Sequence, residues 1–231
     1  NTRYTINWWL CWSDVTSLSI IDLHTCVIVS DDNDADPTDG DVYCFGANQD
    51  KQLGQASTSG TCDDIYTGMG IDCESSPKKV NFPGSVSGIS QVCGGYNYTC
   101  AIAEPDGTVY CWGDFYQSGI NTSYAAPIPE GTTNIKEIAC GMRHACVLSD
   151  SGNVTCFGDY ELYDSIWEEY TSVDAVADPL SMFSDQDASE VEHVAAGKKH
   201  SCYASSDPET NCWGYLNSSV IYDFSWLLLD P

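Results

Sequence analysis

The hydrophobic pattern along the chain is that of short β-strands separated by turn residues. Two β-like runs, 99–103 and 108–112, flank the turn Glu-Pro-Asp-Gly at 104–107, which predicts a β-hairpin. Cys100 and Cys111 lie symmetrically about this turn, so that a disulfide between them would clasp the two strands.

The hairpin pattern occurs four times. The other copies begin at 24–26, 144–146 and 200–202 and end in Cys, an aromatic residue and Gly at 44–46, 156–158 and 212–214. Alternating apolar residues that lead to Gly precede three of the copies, at 89–95, 135–141 and 191–197, as expected of an inner strand close to a central axis. This period predicts a repeat architecture. We expect one all-β domain over 1–231, with repeats at about 15–84, 85–130, 131–187 and 188–231.

Both ends of the chain also have the composition of strands. Segment 1–14 contains Cys11-Trp12-Ser13, which resembles the ending of a repeat, and 220–229 is apolar. Pairing of the two ends would close a ring, as in a β-propeller, and hide the sheet edges. Alternatively, one or both ends are cut from a longer protein.

A polar insert at 56–79 holds Cys62 and Cys73. We expect these cysteines to close the insert on itself, which limits the entropy of a long loop. Such an insert is either a contact surface on one face of the array or a loop without function.

Eight of the thirteen cysteines fall in four matched pairs, which predicts disulfides and therefore an oxidising compartment. A metal site is a poorer explanation, because no Cys-x-x-Cys spacing is present. The expected disulfide pairs are Cys26–Cys44, Cys62–Cys73, Cys100–Cys111, Cys146–Cys156 and Cys202–Cys212. Cys11, Cys93 and Cys140 remain. Cys93 and Cys140 could join neighbouring blades, although an offset of one position points them differently on ideal strands, and Cys11 could pair with either. One thiol is then free or bonded outside the chain.

The charge balance is extreme, with 8 basic and 34 acidic residues and a net charge of −26. This excludes nucleic acid and anionic membrane surfaces as partners and attracts cations such as Ca²⁺. No segment is long and apolar enough to span a bilayer. The enlarged hairpin loop at 30–41 offers carboxylates that either hold one Ca²⁺ or form a solvated acidic turn: Asp32, Asp34, Asp36, Asp39 and Asp41. No other cofactor is expected.

Four Asn-x-Ser/Thr tripeptides, at Asn97, Asn121, Asn153 and Asn217, predict N-linked glycans. We expect Asn121, Asn153 and Asn217 to be exposed and Asn97 to be shielded by the strand that follows it. Together with the cysteines, the tripeptides favour a secreted glycoprotein, whose signal peptide would be removed or lie outside this sequence.

Three sequence features resemble repeats of the regulator of chromosome condensation family. They are a Gly-x-x-His-Ser/Thr start, a Val-Tyr-x-Trp-Gly return and the continuation Gly46-Ala-Asn-Gln-Asp-Lys-Gln-Leu-Gly54, which is complete only once. The resemblance covers 15–215 and implies a β-propeller, which we expect to have about five blades. Relatives in this family include β-lactamase inhibitors and exchange factors for a small GTPase, which act through loops on one propeller face.

No catalytic motif is present. His24, His144 and His200 hold the same place in their repeats, where Tyr98 stands in the second, so we interpret them as packing or hydrogen-bonding elements. The leading hypothesis is a non-catalytic structural subunit of an extracellular coat or filament, which binds copies of itself or other extracellular proteins. The alternative is an extracellular module that binds a protein or a glycan.

Overall fold

The computed structural model of this protein is an array of antiparallel β-sheets. It describes residues 15–21, 23–30, 40–63, 68–115, 120–127, 133–158, 160–164, 169–173, 191–206, 210–216 and 219–220. In these ranges every regular element is a strand, which confirms the all-β prediction. The same ranges contain no helix of the length and apolarity needed to cross a membrane.

Four of the sheets correspond to the four predicted repeats; three are meanders, and in the first, β5 lies between β3 and β4. The first contains β1 (Val15–Ile21), β2 (His24–Val29), β3 (Asp41–Ala47), β4 (Gly60–Asp63) and β5 (Gly70–Lys79). The second contains β6 (Gly88–Gly94), β7 (Tyr98–Glu104), β8 (Thr108–Phe115) and β9 (Ile120–Pro127). The third contains β10 (Ile135–Cys140), β11 (His144–Ser149) and β12 (Val154–Gly158). The fourth contains β15 (Val191–Ala196), β16 (His200–Ser205), β17 (Thr210–Leu216) and β18 (Ser219–Val220).

A separate hairpin, β13 (Tyr160–Asp164) and β14 (Glu169–Val173), follows the third sheet. The structure shows two paired strands, in which Tyr163 lies opposite Tyr170.

The sheets pack face to face, and each interface holds its own apolar core. Cys26, Ile28 and Val42 of the first sheet pack with Ala101 and Trp112 of the second. The opposite face of the second sheet packs on the third, and the third packs on the fourth. Because a middle sheet is covered on both sides, β7 is buried at six consecutive positions and shows no alternation of apolar and polar residues.

The insert at 56–79 differs from its prediction as a loop. Segments 60–63 and 70–79 form strands, and β5 pairs with β3, so that the insert widens the first sheet. Backbone pairing with β3 provides hydrogen-bond partners that a loop would have to find elsewhere. The predicted terminal strands at 1–14 and 221–229 lie outside the described residues.

Candidate binding surface at the inner turns

Three turns that join the first and second strands of successive sheets lie side by side. We call them the inner turns: 95–97, 141–143 and 197–199. The backbone N–H of Tyr96 donates to the carbonyl of Met142 at 2.8 Å, and the N–H of Met142 donates to the carbonyl of Lys198 at 3.3 Å. The inner turns therefore form one continuous backbone ladder across three blades.

Glycine at the start of each inner turn permits this close approach. A Cβ atom on Gly141 would lie 2.6 Å from the carbonyl oxygen of Gly197 and 2.6 Å from Nδ1 of His144. Any larger residue would push the neighbouring turn away. The Gly-x-x-His spacing is therefore a packing requirement between blades.

The repeated histidines connect the blades, as the sequence predicts. Nε2 of His24 lies 2.9 Å from Oγ1 of Thr99 in the next sheet, and the Thr99 hydroxyl donates to the carbonyl of Gln52 at 2.8 Å. Because the hydroxyl proton is used in that bond, His24 donates its Nε2–H to Thr99. Burial lowers the pKa of His24 to about 4, so the ring is neutral at pH 7.

The same device recurs one blade later. Nε2 of His144 lies 2.8 Å from Oγ of Ser201. Burial, and then the nearby His200, lower the pKa of His144 to about 4. Tyr98 occupies the equivalent place in the second repeat, and its hydroxyl donates toward the carbonyl oxygens of Gly141 and His144. These side chains have structural partners and are not exposed for chemistry.

The Gln-Leu-Gly continuation is also structural. The Asn48 side chain accepts from the N–H of Leu53 and donates to the carbonyl of Gln55, both at 3.0 Å. The carbonyl of Gln52 accepts from the Trp112 indole at 2.9 Å and from Thr99. This turn therefore links the first sheet to the second, which explains why the motif requires these residue types.

The exposed part of the inner turns is basic. Arg143 and Lys198 are exposed and Lys199 is half-buried, so the inner turns carry three of the eight basic residues of the whole chain and no carboxylate. Half-buried Tyr96 and Met142 lie beside them. The ladder of backbone hydrogen bonds therefore brings Arg143, Lys198 and Lys199 onto adjacent turns of a strongly acidic protein, and we call these three residues the cationic cluster.

Two carboxylates border this cluster. The N–H of Asp114 donates to the carbonyl of Asn97 at 2.9 Å, which places Asp114 next to the first inner turn. Partial burial, and then the nearby charge of Asp114, raise the pKa of Asp50. The cationic cluster thus has an acidic edge on the side of the second blade.

Sequence reasoning missed the cationic cluster. Arg143 and Lys198 are far apart in the chain, and each is a common kind of surface residue. The available signal was that Arg143 and Lys199 each stand directly before a repeated histidine, in a chain with few basic residues.

A second set of contacts between blades was also missed. Nε2 of Gln91 donates to the carbonyl of Ile138 at 3.1 Å, and Oε1 accepts from the N–H of Ile138 at 2.9 Å. Glu137, at the equivalent place one blade later, approaches the N–H of Val194 at 3.4 Å and Nδ1 of His193 at 3.3 Å. Because the residue type differs in each blade, the pattern is hard to see in the sequence.

The structure joins all five cysteine pairs expected from the spacing. The four hairpin pairs lie at directly opposed positions, with Cα–Cα distances of 4.0–4.2 Å. A sixth disulfide, Cys93–Cys140, joins the second and third sheets, with a Cα–Cα distance of 5.6 Å. Its cysteines belong to two sheets that face each other, so the alternation rule within one sheet does not apply to them. Cys11 lies outside the described residues.

The other predicted sites are placed only in part. Asn97 is half-buried in an inner turn, whereas Asn153 is exposed and its Nδ2 donates to Oγ of Ser151 at 3.0 Å. Asn121 lies on β9, and its side chain, like Asn217, is outside the described set.

Of the five aspartates proposed for Ca²⁺, Asp41 forms an ion pair with Lys79. The other four, Asp32, Asp34, Asp36 and Asp39, are outside the described ranges. Those ranges contain no cluster of three or more His, Cys, Asp or Glu that could hold a metal ion.

Comparison with known proteins gives consistent results. Profiles of the regulator of chromosome condensation (RCC1) repeat match residues 39–102, 89–117 and 135–159. The ultraviolet-B receptor UVR8 of Arabidopsis thaliana is 25% identical over 184 residues, which cover 77% of this chain and 38% of the receptor.

Two solved structures share the fold. Human WBSCR16 superposes with a TM-score of 0.61 at 18% identity, over 87% of this chain and 47% of that one. Prp20p, the RCC1 protein of Saccharomyces cerevisiae, superposes with a TM-score of 0.59 at 20% identity, over 88% of this chain and 44% of that one. The chain therefore spans less than half the length of each relative. Its repeats, its sheets and these neighbours together identify the chain as an RCC1-like repeat β-propeller.

Proposed function

We propose that this chain is a non-catalytic extracellular binding module, which contacts acidic segments of protein partners through its inner turns. The observation that carries the proposal is the cationic cluster of Arg143, Lys198 and Lys199 on adjacent, hydrogen-bonded turns. Carboxylate groups are the natural counterparts of Arg and Lys in a protein interface. Tyr96 and Met142 add the kinds of side chain that are enriched in such interfaces.

Rigidity supports this surface as a binding site. The ladder, the buried histidines and the Cys93–Cys140 disulfide hold the turns in place before a partner arrives. A surface that is already ordered loses little conformational entropy on binding. The disulfides favour an extracellular location, because such bonds persist in oxidising compartments.

The relatives support protein binding in general terms. Yeast RCC1 (Prp20) has been crystallised bound to Kap60, and its binding to Gsp1p and histones has been characterised. His24, Tyr98 and His144, whose pKa values are strongly shifted, all have hydrogen-bond partners within the blades. For this reason we propose binding and not catalysis.

Binding to immobilised polyglutamate, an acidic polypeptide probe, tests the proposal. At about 0.15 M salt the wild-type protein should bind, and Arg143→Glu/Lys198→Glu should weaken binding about tenfold, because two attractions become repulsions. Lys78→Glu/Lys136→Glu changes the net charge equally but lies away from the inner turns, so it should bind like wild type. Equal binding by both double variants would contradict the proposal.

A further inference from the structure

The acidic counterpart of the inner turns is present on the protein itself. Hairpin tips, which join the second and third strands of each sheet, lie at the opposite end of the sheet from the inner turns, because successive strands are antiparallel. Two tips are described, 105–107 and 150–153. The N–H of Asn134 donates to the carbonyl of Asp106 at 2.8 Å, and the N–H of Asp150 donates to the carbonyl of Asn134 at 2.9 Å. The two tips are therefore neighbours on one face, which we call the tip face.

The two described tips are acidic. They contain Asp106 and Asp150 and no Lys or Arg, and Glu104 precedes the first of them. Lys136 follows Ile135 beside these tips, and Lys79 pairs with Asp41 at the start of β3, so the acidic groups are concentrated at the tips themselves.

The tip face also has a depression that suits a cationic side chain. A hollow of about 560 Å³ is lined by Thr133, Asn134, Ser149, Asp150, Ser151 and Asn153. Its walls offer hydroxyl and amide oxygens, and Asp150 supplies the negative charge. An Arg or Lys side chain that enters it would exchange water for several oxygen acceptors.

We infer that the acidic partner of the inner turns is the tip face of a second copy of this chain, so that copies stack head to tail. Arg143 and Lys198 of one copy would meet Asp106, Asp150 and the hollow of the next. This inference rests on the proposed function, because it names the partner of the same surface. Two different faces meet in such a contact, and a contact of this type leaves both ends of the stack open for further copies.

The net charge of −26 sets the conditions for stacking. At very low salt, whole copies repel each other over long distances. At about 0.15 M salt the Debye length is about 8 Å, so distant repulsion is screened while contacting opposite charges still attract. At about 1 M salt the contact itself is weakened. Association should therefore pass through a maximum at intermediate salt.

Sedimentation velocity of the secreted protein, before and after enzymatic removal of N-glycans, tests the inference. Both forms are needed because Asn97 and Asn153 lie on the two contacting faces, where glycans would hold copies apart. We expect trimers and longer species at about 0.15 M salt in at least one form, and fewer at about 0.01 M and 1 M. Only monomers in both forms, or closed dimers that grow no further, would overturn the inference.

Charge variants identify the contact. Arg143→Glu/Lys198→Glu on one face and Asp106→Lys/Asp150→Lys on the other should each weaken association about tenfold. Association that both face variants leave unchanged would overturn the inference. If wild type binds polyglutamate through the inner turns but stays monomeric, the proposed function stands and the partner is a different acidic protein.

Discussion

The two buried histidines take their hydrogen-bond partners from the neighbouring blade. His24 donates to Thr99, and His144 pairs with Ser201. Nδ1 of the His24 ring is buried without a partner, so a second proton there would find no acceptor. The neutral form of each histidine is therefore part of the blade interface.

This arrangement makes stability depend on pH. The pKa of His24 and of His144 is about 4 in the folded protein and 6.5 in ordinary surroundings. Between these values the unfolded chain binds more protons, so the stabilisation is complete above pH 6.5 and is lost as the pH falls toward 4. Each histidine contributes about 1.4 kcal/mol per pKa unit.

We expect His24→Gln/His144→Gln to unfold with a flatter pH dependence than wild type between about pH 6.5 and pH 4. Urea unfolding across this range measures the slope. His193→Gln, at an exposed position, should keep the wild-type slope. A double variant with the full wild-type slope would contradict the account of the two rings.

The sequence predicts the structural role of the histidines but not the surface formed by the basic residues. The repeated place of His24 and His144 predicts a blade contact, but the partner hydroxyls belong to the next repeat and have no motif of their own. Arg143 and Lys198 form a surface only because the ladder brings their turns together, and this depends on how the blades pack.

The disulfides connect either two strands of one hairpin or two neighbouring blades. Cys146–Cys156 clasps one hairpin and closes a separation of 10 residues, whereas Cys93–Cys140 ties two blades and closes a separation of 47. A longer closed loop restricts the unfolded chain more. The bond between blades should therefore stabilise the fold more than the hairpin clasp does.

Alanine replacements compare the two bonds. We expect Cys146→Ala/Cys156→Ala to lower the free energy of unfolding by about 3 kcal/mol and Cys93→Ala/Cys140→Ala by about 4 kcal/mol, by the chain-entropy relation. Denaturant unfolding of both double variants measures the difference. A clear loss in the first variant and none in the second would contradict the role of Cys93–Cys140 in holding the blades.

The hairpins were predictable because their strands and turns are contiguous in sequence. The turn at 104–107 and the register between Cys100 and Cys111 follow from local residues alone. By contrast, β5 belongs to a polar insert and pairs with β3, and no local pattern in the sequence predicts that pairing. For the same reason the local sequence does not determine the pairing of Cys93 and Cys140, since the distance between them depends on blade packing.

At the scale of the whole molecule, the basic inner turns and the acidic tips lie at opposite ends of the blades. The inner turns carry Arg143, Lys198 and Lys199, whereas Asp106 and Asp150 lie on the tip face. Composition alone gives the net charge of −26 but not this separation, because the separation depends on which turns point the same way. The antiparallel order of the strands determines it.

The central claim is that covalent clasps within blades and a tie between blades hold an RCC1-like propeller rigid, so that its turns form a fixed binding surface. Peptide mapping of the native protein without reduction, with free thiols blocked first, tests this most directly. The account predicts linked peptides for Cys26–Cys44, Cys62–Cys73, Cys93–Cys140, Cys100–Cys111, Cys146–Cys156 and Cys202–Cys212. Blocked, unlinked thiols at the four hairpin pairs would contradict it.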